Sequence, residues 1–295
     1  MDREEILEKF ERLRVWQNAG ERAPHKPLLV LYAIGKLLRD RNHLIPYTDI
    51  DENLGNLLRE FGPRQANPGT QYPFWRLQND GIWEVSDADK IGQTASGDAL
   101  KSDLVDYDVS GGFHEDIAHE LHNNRRLASD IIQSLLDAHF PSSFHEDILQ
   151  AVGIEFPFQI SNPQTRDPNF RAKILKAYEY KCAVCGFDVK LRNQPVALEA
   201  SHIKWRQAEG PDAEVNGLAL CSLHHKLFDR GAFTLSQELE VLVSDEAHGS
   251  VGFREWLKNF HGKKINFPQR QSYRPDGNYI GWHVKEVFKG EYREL

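Results

Sequence analysis

The chain has 295 residues, of which 40% are hydrophobic and 27% charged, with a formal net charge of -8. That length favours two hydrophobic cores over one, the composition is that of a globular protein, and no apolar run approaches the roughly 18 residues needed to cross a bilayer, which excludes a helical membrane protein. Net negative charge argues against general nucleic-acid binding by the whole surface, but basic residues cluster locally at Arg171, Lys173, Lys176 and Lys181, then at Lys190, Arg192, Lys204 and Arg206, and local charge is what meets phosphate.

The opening MDREEILEKF is acidic and amphipathic, unlike a secretion signal with its basic and then apolar stretches, so a cytoplasmic protein is expected. From Arg3 to Trp16, Ile6, Leu7, Phe10, Leu13 and Trp16 recur at helical steps. Pro24 and Pro27 introduce LLVLYAIGKLL, a near-continuous apolar run that predicts a buried helix. A third helix is predicted over Asp49 to Phe61, stopped by Gly62 and Pro63. The segment TQYPFWRLQNDGIWEV reads as two short strands about an Asn-Asp-Gly turn. Helical patterning returns from about Gly112 to Val152, with Pro141 as a break. The proline-rich stretch that follows reads as a linker. The expected organisation is α+β: a mainly helical domain over residues 1–155, a linker over 156–168, and a second domain over 169–295.

All three cysteines fall in the second domain, at Cys182, Cys185 and Cys221. An odd, clustered set is a poor disulfide framework and, in a reducing compartment, a good metal framework. Cys182-Ala-Val-Cys185 and Cys221-Ser-Leu-His224 supply two pairs of ligands with two-residue spacing, which suits tetrahedral, structural zinc. His224 and His225 are adjacent, and either could close the set; the C-x-x-H spacing selects His224. Consecutive helical residues point about 100° apart, so His225 would be left to serve a second ion.

Phosphodiester hydrolysis needs a base working near neutral pH and a cation to offset charge on the phosphate. His202 suits the first role and His225 the second. The segments LEASHIKW, NGLAL and CSLHHKLFDRGAFT, in that order around the cysteine pairs, resemble the HNH nuclease family over about Phe170 to Leu235. That resemblance implies a ββα-metal fold, with His202, Asn216 and His225 as the three signature residues. Asn216 is then the residue that ties the loop to the strand so that His202 is aimed. Many members carry an acidic or histidine ligand just before the first histidine, where this chain has Ser201. The second ligand of the divalent ion, Mg2+ or Mn2+ or another, is therefore open: Glu199 is a candidate, directly, through water or by holding an arginine, and so is a plain surface strand position. Beyond the module, GFREWLKNFHGKKINFP and NYIGWHVKEVFKG are similar to the extension of McrA-like HNH restriction enzymes. There His283 reads better as part of a packed Trp-His pair than as a ligand.

In the first domain, RAPHKPLLVLYAIGKLL and QYPFWRLQNDGIWEV resemble the sulfur-binding domain of phosphorothioate-dependent restriction endonucleases. Sulfur is larger and less strongly hydrated than oxygen, so a small apolar cup favours it over an anionic oxygen. Tyr72 and Pro73 are expected to form that cup. His25 and Lys26 at a helix start, with Arg64 or Arg76, are expected to hold the phosphate. The resemblances together imply a Type IV-like restriction endonuclease acting on phosphorothioate-modified double-stranded DNA, with a homodimer expected for double-strand cutting. Two alternatives stay open on the residues alone. One is an HNH enzyme responding to methylated cytosine or to unmodified sequence, and the other a non-cleaving zinc-containing DNA-binding protein.

Overall fold

The computed structural model describes residues 3–15, 20–21, 23–63, 69–154 and 168–294. The chain divides into two compact units, one formed by residues 1–18 and 22–161 and the other by 19–21 and 162–295. Arg64 and nearly all of the expected linker lie outside the described residues. No helix of the described residues is long and apolar enough to cross a membrane.

The first unit is helical around a small sheet. Helix α1 (Arg3–Glu11) is followed by α2 (His25–Asp40), β1 (Leu44–Pro46), α3 (Tyr47–Phe61), α4 (Gln71–Arg76), β2 (Trp83–Val85) and α5 (Lys101–Asp106). Then come β3 (Ser110–Phe113), α6 (Glu115–Asn123), α7 (Arg125–His139) and α8 (Ser142–Ala151). Helix α2 has no polar face in its middle: Leu28 to Ile34 are all buried, and it packs against α3, α4, α6 and α7. An apolar run of this kind must be surrounded to be stable. The sheet has order β1-β3-β2 and is antiparallel throughout.

Two expectations for this unit need correction. The segment from Gln71 to Asp80 is not a strand but α4 followed by a 3-10 turn over Leu77–Asp80. Pro73 falls in the first turn of α4, where its missing N–H costs nothing. Phe74 and Trp75 are buried, with the Phe74 ring edge-on to Tyr47 at 5.0 Å and to Trp83 at 6.1 Å. Asn-Asp-Gly is a helix stop, with Gly81 at φ 67° in the left-handed region; β2 pairs instead with β3, far along the chain. Helix also does not begin at Gly112, which lies in β3 opposite Leu44. A Cβ there would sit 1.5 Å from the carbonyl oxygen of His43, so only glycine lets the two backbones approach.

The second unit begins with α9 (Pro168–Ala177), then β4 (Lys190–Leu191), β5 (Gln194–Pro195), β6 (Leu198–His202), β7 (Gly217–Cys221) and α10 (Ser222–Asp229). After these come β8 (Phe233–Leu235), β9 (Val241–Val243), α11 (Val251–Trp256) and α12 (Gly277–Glu286). Strands β6 and β7 pair antiparallel from Leu198↔Cys221 to His202↔Gly217, and both α9 and α10 pack on them. Gly217 is opposite His202 because nothing larger fits: a Cβ there would meet Ile174 Cδ1 at 2.2 Å and Phe170 Cζ at 3.1 Å. His283 on α12 is fully buried. It stacks on Phe228 rather than on a tryptophan, with centroids 3.7 Å apart, and its Nδ1 lies 2.9 Å from Thr234 Oγ1. It is a core histidine whose ring nitrogens are both used, the second by the Phe228 carbonyl.

Candidate metal and active site

Helix α10 organises the site. Its buried residues His224, His225, Phe228 and Asp229 form two adjacent stripes, 224/228 and 225/229, because i and i+4 share a face while neighbours diverge. One stripe meets the cysteines and the other meets β6.

The cysteine pairs converge. Cys182 Sγ, Cys185 Sγ, Cys221 Sγ and one ring nitrogen of His224 all lie within 4.8 Å of one another. Separations of 3.8 Å for Cys182 to His224 Nδ1, 3.9 Å for Cys185 to Cys221 and 3.1 Å for Cys221 to His224 Nδ1 approach the roughly 3.5–3.8 Å edges of a tetrahedron built on zinc–sulfur and zinc–nitrogen bonds. His224 Nε2 lies 2.8 Å from the Trp256 carbonyl. That contact places the proton on Nε2 and leaves Nδ1 as a ligand atom, the outer-sphere arrangement that metal-bound histidines use. Hydrogen bonds from Cys185 and Cys221 hold the Cys182 thiol well below its ordinary pKa. Donor set and orientation both fit a closed structural zinc site, with all four protein ligands used.

On the other stripe, His225 is held from both sides. Its Nδ1 is 2.5 Å from Glu199 Oε2 and its Nε2 is 3.2 Å from Asp229 Oδ2. Ser222 Oγ donates to the other Glu199 oxygen at 2.6 Å. Burial alone would lower the His225 pKa, but Asp229 and then Glu199 outweigh it and raise it to about 9. Nε2 and Asp229 Oδ2 are separated as two neighbouring ligands of one octahedral cation would be, roughly 3 Å, so a divalent ion fits between them. Glu199 occupies the opposite nitrogen, where it orients the ring.

His202 ends β6, in the last pair of the ladder. Its Nε2 lies 2.7 Å from Asp212 Oδ1, and its ring stacks on Phe170 at 4.0 Å and 11°. Burial lowers its pKa, and Asp212 opposes that. Asn216 is fully buried and uses its whole amide: Oδ1 accepts from Lys204 N at 2.8 Å, while Nδ2 donates to the carbonyls of Lys204 at 3.0 Å and Pro211 at 2.9 Å. The loop after His202 is therefore closed on itself by one side chain. Reading the sequence missed Asp212 and Asp229. Asp229 carried a signal, four residues beyond His225 on the same helical face; Asp212 carried none. Of the basic cluster, Arg171 is structural, donating to the Leu198 carbonyl at 2.9 Å.

In the first unit, His25 and Lys26 open α2, and Tyr72, Pro73 and Arg76 lie on α4. Tyr72 is exposed and Pro73 buried. Lys26 Nζ is 2.5 Å from Asp80 Oδ2, with the carboxylate only 1% exposed. Arg76 grips Asp98 with two bonds, at 2.5 and 2.7 Å, and its guanidinium lies 5.2 Å from the Tyr72 ring centroid. Both cations are thus oriented by carboxylates. Asp98 is held below its ordinary pKa by the Arg76 hydrogen bonds.

Residues 3–157 match the family described as "ScoMcrA-like, DNA sulfur-binding domain", and residues 182–236 match "HNH endonuclease". A sulfur-binding domain of ScoMcrA complexed with phosphorothioated DNA is 25% identical over 50% of this chain and 94% of that one, with a TM-score of 0.46. The Type IV phosphorothioation-dependent restriction endonuclease ScoMcrA is 25% identical over 50% of this chain but only 28% of its own length, with a TM-score of 0.45. A sulfur-binding domain of SprMcrA complexed with phosphorothioated DNA is 23% identical over 52% of this chain and 95% of that one, at a TM-score of 0.44. No curated protein matches the chain.

Proposed function

The chain belongs to the ScoMcrA-like DNA sulfur-binding domain family, and on that premise we propose a restriction endonuclease that reads phosphorothioate-modified double-stranded DNA with residues 1–155 and hydrolyses a nearby phosphodiester with residues 169–295. The observation that carries this reading is the presence, in the same chain as a sulfur-binding domain, of an HNH domain whose two histidines stand in different surroundings. His202, without a cation partner, is the base; His225, between Glu199 and Asp229, is the ion-holding residue.

In this reading Asn216 aims His202 by closing the loop behind it, and His225 Nε2 with Asp229 holds Mg2+ or Mn2+. Glu199 keeps the His225 ring turned correctly. A divalent ion bound there offsets charge on the phosphate and the leaving oxygen. Zinc on Cys182, Cys185, Cys221 and His224 keeps the start of α10 in register with β6 and β7. Sulfur is taken by Tyr72 and Pro73, and the phosphate carrying it by His25 and Lys26 at the α2 start, with Arg76 beside the Tyr72 ring and Arg64 as a further cation. Each HNH centre cuts one strand, so double-strand cleavage calls for a homodimer.

The test uses two duplexes identical except for one phosphorothioate linkage of defined stereochemistry, at stated salt, with Mg2+ or Mn2+. Selective binding and cleavage of the sulfur duplex, with binding kept and cutting lost in His202→Ala, is expected. Equal binding of both duplexes refutes the substrate assignment, and full cutting by His202→Ala refutes the base.

A further inference from the structure

His202 is held by more than its strand. The contact between its Nε2 and Asp212 Oδ1 is 2.7 Å, and Phe170 covers one face of the ring. A carboxylate at Nε2 keeps the proton of the neutral ring there and leaves the lone pair on Nδ1. Among the described residues Nδ1 has no protein partner. Asp212 is placed in turn by the loop. Asn216 donates to the carbonyl of Pro211, the residue before Asp212, and brackets Lys204, two residues beyond His202. Gly210 lets the loop fold this tightly, since a Cβ there would lie 1.8 Å from the Lys204 carbonyl oxygen. One buried amide therefore secures both ends of the His202–Asp212 bond. Arg206 Nε stands 3.9 Å from the same Asp212 oxygen, on the carboxylate rather than on the ring.

We propose that Asp212 is the positioning residue of the general base, accepting Nε2–H of His202 so that Nδ1 is the nitrogen that takes a proton from water. This rests on the nuclease reading above. In the step, Nδ1 takes one proton, and a lone pair of the resulting hydroxide forms the new phosphorus–oxygen bond. The bond to the leaving oxygen breaks with its electron pair, that oxygen takes a proton from solvent, and the imidazolium returns its proton to solvent. Asp212 stabilises the imidazolium while it lasts and is not itself protonated. Burial lowers the basicity of His202; Asp212 is the main group opposing it, Arg206 works with burial, and Asp229 works with Asp212.

The decisive variant is Asp212→Asn, whose Oδ1 still accepts from Nε2–H, so that the orientation persists and the charge goes. Single-turnover cleavage should fall on the order of 10–100-fold, the usual effect of losing such an outer partner. The acid limb of the pH–rate profile should move to lower pH, because burial then acts with less opposition. Asp212→Glu should recover part of the rate, and binding of the phosphorothioate duplex should be unchanged. A wild-type rate in Asp212→Asn overturns the proposal, and so does a lost rate with the limb unmoved, which is what a merely structural residue would give. If the wild-type protein cuts no DNA with Mg2+ or Mn2+, the nuclease reading fails, and 15N spectra of the imidazoles still decide this one. A His202 signal, assigned by its absence in H202Q, that shows the Nε2–H tautomer in wild type and loses it in Asp212→Ala supports the pairing; mixed tautomers in wild type overturn it.

Discussion

Asn216 offers the sharpest test of how the loop after His202 is held. Its side chain is fully buried and makes three hydrogen bonds, to Lys204 N, Lys204 O and Pro211 O. Each is worth about 1 kcal/mol net, so Asn216→Ala should destabilise the second unit by about 3 kcal/mol. At roughly 3 °C per kcal/mol for a unit of this size, that is a fall of roughly 10 °C in its melting temperature. Asn216→Asp separates hydrogen bonding from volume. The carboxylate can still accept from Lys204 N, but it cannot donate, and its second oxygen faces two carbonyls about 3 Å away. It should therefore cost at least as much as alanine at neutral pH, and part of the loss should return on acidification, when a protonated carboxyl can donate again. Calorimetry of the full chain reads both variants. An Asn216→Asp protein within about 0.5 kcal/mol of wild type would refute the inference that the amide donates to both carbonyls.

Two further outcomes follow from the same kind of reasoning. Removing zinc with a chelator should lower the melting transition of the second unit and leave that of the first unchanged, because Cys182, Cys221 and His224 are buried and lose their common partner; equal shifts in both transitions would contradict it. His139 in α7 has its pKa pulled from 6.5 to about 4 by burial. Its folded form takes up a proton less readily than its unfolded form, so its contribution is complete above about pH 6.5, declines as pH falls from there to about 4, and is constant below. The loss is on the order of 1–2 kcal/mol. Urea titrations at several pH values should show that slope flattened in His139→Gln relative to wild type; an unchanged slope would refute the assignment.

Legibility in the sequence followed the range of the interaction. The Cys182–Cys185 and Cys221–His224 pairs are two-residue spacings inside tight turns, so local chain geometry alone brings each pair to one point. The buried run of α2 is likewise self-announcing, since no exposed helix tolerates seven consecutive apolar positions. Gln71 to Asp80 was misread because its aromatics and Asn-Asp-Gly have the same local signature in a hairpin and in a short helix with a left-handed stop. What decides is Tyr47 and Trp83, which pack against Phe74 from distant positions. Strands β1 and β3 were invisible because three or four residues carry too little periodicity, and their pairing hangs on Gly112. Glu199 was left open because a strand position shows no partner until α10 is laid across it. Asp212 meets His202 only after the loop has closed on Asn216, and nothing in the spacing of ten residues foretells that.

The charges around the two histidines explain why a protein with net charge -8 can still handle phosphate. Glu199, Asp212 and Asp229 all approach His202 or His225 within 3.2 Å. Such a cluster repels a phosphodiester, and Arg206, the cation nearest to it, is spent on Asp212. The same three carboxylates make sense when divided by task. Asp212 serves the base, Glu199 orients the His225 ring, and Asp229 with His225 presents a harder, more anionic site to a divalent cation than a histidine alone would. Attraction for DNA then has to come from that cation and from the separate sulfur-binding unit rather than from the chain's average charge. An acidic centre without an ion would reject every duplex alike, which makes selectivity the work of the first domain and limits cutting to DNA that it has already captured.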